Sequence, residues 1–155
     1  MDIGNYNMTK KDASFRKKIL PLLGFLSGLI ALATAFLPYA VITLSNYTLR
    51  FDAIQMIYYN IRYGSILVEI PLGMRICIIL SLLLTILGLV LIVMKKFLHA
   101  SAFLFGAAVT SIVQLIFISQ VAQEASRAGI TPATSSMLGG WTFFLLLSLL
   151  AAALS

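Results

Sequence analysis

Apolar residues fall in four long runs separated by polar segments, and run length decides what each can form. After a polar, basic stretch from Met1 to Lys18, apolar positions dominate 19–44, 74–95, 97–121 and 137–154. The inner parts of these runs, Ile19 to Leu44, Ile76 to Met94, Phe97 to Val121 and Met137 to Leu154, contain no Asp, Glu, Lys or Arg. A helix needs about 20 residues to cross a hydrocarbon core of roughly 30 Å, and every run is near that length. The pattern predicts an all-α membrane protein: a bundle of four transmembrane helices behind a cytoplasmic basic tail over 1–18. Pro21 falls in the first turn of the first run, where a missing N–H is harmless. Pro38 is expected to kink or end that helix. Ala33-Thr34-Ala35 looks like a signal cleavage site, but the apolar run continues past it, so a retained helix is expected.

The segment 45–73, read as the first outer loop, has a different period. Val41-Ile42-Thr43-Leu44 and Tyr47-Thr48-Leu49-Arg50-Phe51 are β-rich stretches around the polar pair Ser45-Asn46, which predicts a hairpin. Asp52 then stands where it caps a short amphipathic helix reaching Ile61. Five of the six tyrosines (Tyr39, Tyr47, Tyr58, Tyr59 and Tyr63) fall between residues 39 and 63, a composition suited to the membrane–water boundary. The second outer loop, 122–136, reads as a polar connector.

Composition supports a lipid environment. The 155 residues are 61% hydrophobic and 10% charged, with a mean hydropathy of +1.03. Soluble domains carry about a quarter charged residues. The net charge of +6 does not form a basic face on a soluble domain, which excludes nucleic-acid binding. Instead Lys10, Lys11, Arg16, Lys17 and Lys18 precede the first run, and Lys95 and Lys96 separate the second from the third. Arg50, Arg62, Arg75 and Arg127 fall on the other side. The positive-inside rule then places both termini in the cytoplasm and the protein in the cytoplasmic membrane, as a multi-pass chain. Lys17, Lys18, Tyr39, Arg75, Lys95, Lys96 and Trp141 are the expected interfacial anchors.

Candidate function rests on small and polar residues inside the runs. Gly24, Gly28, Ala31 and Ala35 form a stripe that lets two helices approach closely, either within the chain or in a homodimer. Ala102, Gly106, Thr110 and Gln114 recur every four residues, and Ser81, Thr85 and Gly88 offer a matching stripe. A glutamine at this depth requires partners, so Gln114 with Ser81 or Thr85 is either glue between helices or the lining of a solute path. No catalytic, cofactor or metal site is expected. Cys77 is the single cysteine and His99 the single histidine. Zinc needs three or four ligands, and nothing evident orients His99 on Cys77 for nucleophilic chemistry.

A first helix ending in Phe36-Leu37-Pro38-Tyr39, followed by a β-rich outer loop and further helices, resembles the claudin-type arrangement. It also resembles small uncharacterised bacterial four-span membrane proteins. The resemblance implies a left-handed four-helix bundle under a small sheet. It does not imply claudin adhesion or pore formation, because the tryptophan-rich signature and the paired loop cysteines are missing. The function expected is that of a non-enzymatic accessory or regulatory subunit, working by lateral helix association with a larger transporter, channel or envelope complex, or with itself. Its partners are the bilayer and another membrane protein. A small transporter or channel for a neutral or lipidic solute and an immunity-type protein against a membrane-active toxin are the alternatives.

Overall fold

The computed structural model describes residues 3–155, with side chains at Phe15 and from Ile19 onward. The anchoring roles expected of Lys17 and Lys18, and the side chains of most of the tail, lie outside the described residues. In chain order the elements are α1 (Ile3–Thr34), β1 (Ala40–Leu44), β2 (Tyr47–Phe51), α2 (Ala53–Tyr58), β3 (Ile61–Tyr63), β4 (Ile66–Val68), α3 (Leu72–Val93), α4 (Phe97–Arg127), β5 (Ala133–Met137) and α5 (Gly139–Leu154).

The all-α, four-span expectation is corrected by this architecture. Among the described residues, only α3 and α4 are both long and apolar enough to cross a membrane. The apolar part of α1, Ile19–Thr34, and the whole of α5 are shorter. Helix α5 has 16 residues. With a rise of about 1.5 Å per residue it reaches about 24 Å, short of a hydrocarbon core of roughly 30 Å. Hydropathy had merged two kinds of structure. The run 19–44 leaves the helix after Thr34 and becomes β1 at Ala40, and the run 137–154 opens inside β5. The connector expected over 122–136 likewise divides, because α4 continues to Arg127 and β5 begins at Ala133. The four-helix bundle implied by the claudin resemblance is corrected with it.

The strands form two sheets. The larger has the order β2-β1-β5, antiparallel throughout, with Leu44 opposite Tyr47 on one side and Ala133 on the other. Ser45 turns the β1–β2 hairpin at φ 53°. The central strand buries Ala40, Ile42 and Leu44. β3 and β4 form a second hairpin, and the rings of Tyr47 and Tyr63 meet edge to face at 5.7 Å between the two sheets. Asp52 caps α2 with a reciprocal box. Its carboxylate accepts from Gln55 N at 2.7 Å. The Gln55 side chain in turn accepts from Asp52 N at 3.2 Å.

Beneath the sheets, α3 packs on α4, α4 on α5, and α5 on α1, while α1 and α3 meet over a shorter stretch. The start of α1's apolar part, the α3–α4 turn and the end of α5 share one end of the molecule, as the contacts of Gly24 with Leu154 and of Ser101 with Ala152 require. The strands occupy the other end. Two apolar clusters result. The larger, at the sheet end, includes Ile42, Met56, Ile78, Val121, Trp141 and Phe144. The smaller, near the α3–α4 turn, includes Leu89, Ile92, Leu104 and Ala151.

Candidate functional site

A polar waist separates the two clusters. Ser81 and Thr85 from α3, Ser111 and Gln114 from α4, and Ser148 from α5 are all buried at this level. The α4 face explains the placement. Apart from Ala108 beside them, its buried residues run Ala100, Leu104, Ala107, Ser111, Gln114, Ile118, Val121 and Ala125, alternating steps of four and three. That alternation tracks one side of a helix.

A strict spacing of four does not. Each such step rotates about 40°, so the stripe read as Ala102, Gly106, Thr110 and Gln114 wraps around α4. Ala102 is exposed, Gly106 and Thr110 are half-buried, and Gln114 alone is fully enclosed. Thr110 turns its hydroxyl back on its own helix, donating to Ala107 O at 2.9 Å.

The central contact comes from outside the helices. Tyr39 is fixed through its backbone, donating to Phe51 O at 2.8 Å and accepting from Leu138 N at 2.8 Å. Its side chain reaches down from the sheet, and the phenol donates to Gln114 Oε1 at 2.8 Å. Gln114 Nε2 in turn donates to Ser81 Oγ at 3.4 Å. Thr85, the other expected partner, donates instead to Ser81 O at 2.9 Å. Burial pushes the Tyr39 phenol well above the ordinary tyrosine range, opposed in smaller measure by its bond to Gln114. The group therefore acts as a neutral donor.

Tyr39 and Trp141, expected as headgroup-level anchors, are instead structural. Tyr39 is 1% exposed, and Trp141 is buried with its indole N–H donating to Ser111 O at 2.9 Å. Both rings have a polar tip that finds an acceptor on α4, so neither needs the wet boundary. Arg75 does lie near the sheet end of α3, bonded to Asn60 Oδ1 and, at 3.5 Å, to Tyr59 O. Lys95 and Lys96 are exposed in the α3–α4 turn. Compared with protein-family models, curated proteins and solved structures, the chain matches none.

The small-residue stripe of α1 is consumed inside the fold. A methyl on Gly24 would lie 3.2 Å from Ala151 O, and one on Gly28 would lie 2.8 Å from Leu89 Cδ2. Ala31 and Ala35 are buried. Ser27, between the glycines, donates to Leu147 O at 3.0 Å and ties α1 to α5. Gly88 admits Leu104, whose Cγ would stand 2.7 Å from an added methyl.

His99 and Cys77 do not meet. Cys77 lies in the first turns of α3, at the sheet end, whereas His99 opens α4 beside the α3–α4 turn. Among the described residues no group of three His, Cys, Asp or Glu side chains could hold a metal. The hydropathy pattern gave no sign of a cavity of about 720 Å³ at the sheet end, between the β4–α3 junction and the last turns of α4. Glu69, Gln120, Gln123, Glu124 and Arg127 line it. Arg127 Nη1 holds Glu124 Oε1 at 2.6 Å, one turn back along α4 on the same wall.

Proposed function

We propose that the protein is a non-enzymatic, multi-pass integral membrane protein that acts by lateral association, as an accessory or regulatory subunit of a larger membrane transporter, channel or envelope complex. One observation carries this reading, the inverted distribution of polarity. Gln114, Ser81, Thr85, Ser111 and Ser148 are buried, while Leu26, Leu83, Phe105, Ile116 and Leu146 face outward from α1, α3, α4 and α5. Water would penalise so continuous an apolar surface. Hydrocarbon does not.

In this reading α3 and α4 cross as a hairpin with the Lys95–Lys96 turn in the cytoplasm. The ends of α1 and α5 beside that turn face the same way, and the strands stand outside. Lysines at one end and Arg50, Arg62, Arg75, Asp52, Glu69 and Glu124 at the other support that orientation. Lateral action is favoured over conduction because Gln114 is fully enclosed, with its amide oxygen taken by the Tyr39 phenol at 2.8 Å and its nitrogen facing Ser81. With the Gly24–Gly28 stripe covered by α5 and by Leu89 of α3, the association surface is expected on the outward faces of α3 and α4.

Photo-crosslinkers placed singly at Leu83, Phe105, Ile116 and Leu146 in intact membranes test this. Discrete protein adducts confined to one face are expected. Lipid adducts alone from all four sites would refute lateral association, and release of the chain by alkaline carbonate would refute membrane integration.

A further inference from the structure

Where α1 and α3 diverge, a groove of about 310 Å³ opens beside the α3–α4 turn. Leu22 and Phe25 of α1 form one wall, Ile92 and Val93 of α3 the other, and Phe97 closes the end. Among the described residues, Lys95 is the one charged side chain lining it. The groove is an apolar slot with a cation at its mouth, and Lys96 is exposed next to it.

The backbone marks Lys95 as a position held against local preference. Helix α3 ends in a Schellman arrangement. Lys95 N donates to Ile92 O at 2.9 Å and Lys96 N to Leu91 O at 2.9 Å. The residue that makes this turn adopts left-handed geometry, where glycine is strongly favoured. Here it is lysine, at φ 59°. A strained residue that also supplies the charge of an adjoining groove points to a ligand carrying the opposite charge.

We infer that this groove binds one anionic glycerophospholipid, its acyl chain between Leu22, Phe25 and Val93 and its phosphate against Lys95. The inference rests on the membrane reading of the protein. Charge complementarity selects the lipid, whose acyl chain fills the apolar walls while its phosphate meets the one described charge, Lys95, at the mouth. An ammonium near an anionic headgroup contributes about five-fold in affinity.

The test uses the full chain extracted in mild detergent, with lipid retention measured by native mass spectrometry against phosphatidylglycerol and phosphatidylcholine of equal acyl length. The wild type is expected to retain one phosphatidylglycerol preferentially, Lys95→Gln to lose about five-fold, and Val93→Trp to block the slot for both lipids. Lys95→Gly separates binding from folding. It relieves the left-handed strain, so its unfolding temperature rises while phosphatidylglycerol retention falls. Equal retention of the two lipids by the wild type, or unchanged retention in Lys95→Gly and Lys95→Gln, overturns the inference. A carbonate-resistant protein without lipid preference sinks the lipid site alone, whereas a carbonate-soluble one sinks the membrane reading as well.

Discussion

Replacing Tyr39 with phenylalanine removes one oxygen and exposes what the polar waist contributes. Gln114 has 0% exposure, so its Oε1 loses the donor at 2.8 Å with no water to replace it. An orphaned buried acceptor costs about 1–3 kcal/mol in soluble proteins. Interhelical hydrogen bonds in lipid average about 0.6 kcal/mol and reach about 1.7 kcal/mol. Tyr39 descends from the sheet rather than from a lipid-facing helix, so we expect Tyr39→Phe to cost about 1.5 kcal/mol.

Gln114→Leu should cost a similar amount, because it strands the phenol. Its bond to Ser81, at 3.4 Å, is beyond the usual N–H···O range and adds little. The double substitution removes both polar groups and leaves an apolar contact, so its cost should fall about 1 kcal/mol below the sum of the singles. Equilibrium unfolding in mixed detergent, followed through the single buried tryptophan Trp141, measures all four proteins. Additivity within about 0.3 kcal/mol would refute the claim that these side chains act as a pair.

Two adjacent glycines at the start of α5 should respond differently to alanine. A methyl on Gly140 would lie 2.8 Å from Pro38 O and 3.0 Å from Leu37 O, both backbone atoms. Gly140→Ala is therefore expected to cost about 2–3 kcal/mol. A methyl on Gly139 would meet only the Phe143 ring, at 3.8 Å. Gly139→Ala should stay within about 0.5 kcal/mol of wild type in the same titration, and equal losses would contradict the packing described. Asp52→Ala removes the α2 capping box at a cost of about 1 kcal/mol. The loss should be read as faster amide exchange confined to 53–58, and uniform exchange would argue against a local cap. Because folding holds the proton on Tyr39, its contribution is intact below the ordinary phenol pKa of about 10 and is lost as pH rises from there toward the raised folded value. Stability measured to high pH should therefore decline less steeply in Tyr39→Phe than in wild type, and parallel curves would refute the assignment.

Local chemistry was readable where neighbours in sequence interact. The β-rich stretches flanking Ser45-Asn46 form the β1–β2 hairpin, and Asp52 caps the helix that follows it, which stops at Tyr58 short of the expected Ile61, the first residue of β3. Long-range partners were not readable. Ala133-Thr134-Ser135-Ser136-Met137 carries one β-branched residue, Thr134, and no run of alternating apolar positions, yet it becomes a strand where β1 offers an open edge and Ser135 donates to Ile118 O at 2.6 Å. Hydropathy sums also hid the change from helix to strand after Thr34, since Val41, Ile42 and Leu44 are as apolar as any helical residue. Of the waist, Gln114 and Ser81 were legible as a polar pair in apolar runs. Tyr39 was not, because a tyrosine beside a proline at a run's end has the same composition whether it sits in headgroups or points inward.

The seam between β1 and β5 sets a schedule for biogenesis. β1 is complete once residue 44 leaves the ribosome, but its register partner for Ala40 is Met137. At about 5–20 residues per second, the nascent chain waits roughly 5–20 s with that edge bare. Over the same interval the glycine face of α1 lacks α5, whereas α3 and α4 meet as soon as their shared turn emerges. Translation therefore delivers a finished central hairpin and an unclosed periphery, and a ribosome stalled before residue 133 leaves β1 with an open edge on which other chains can pair.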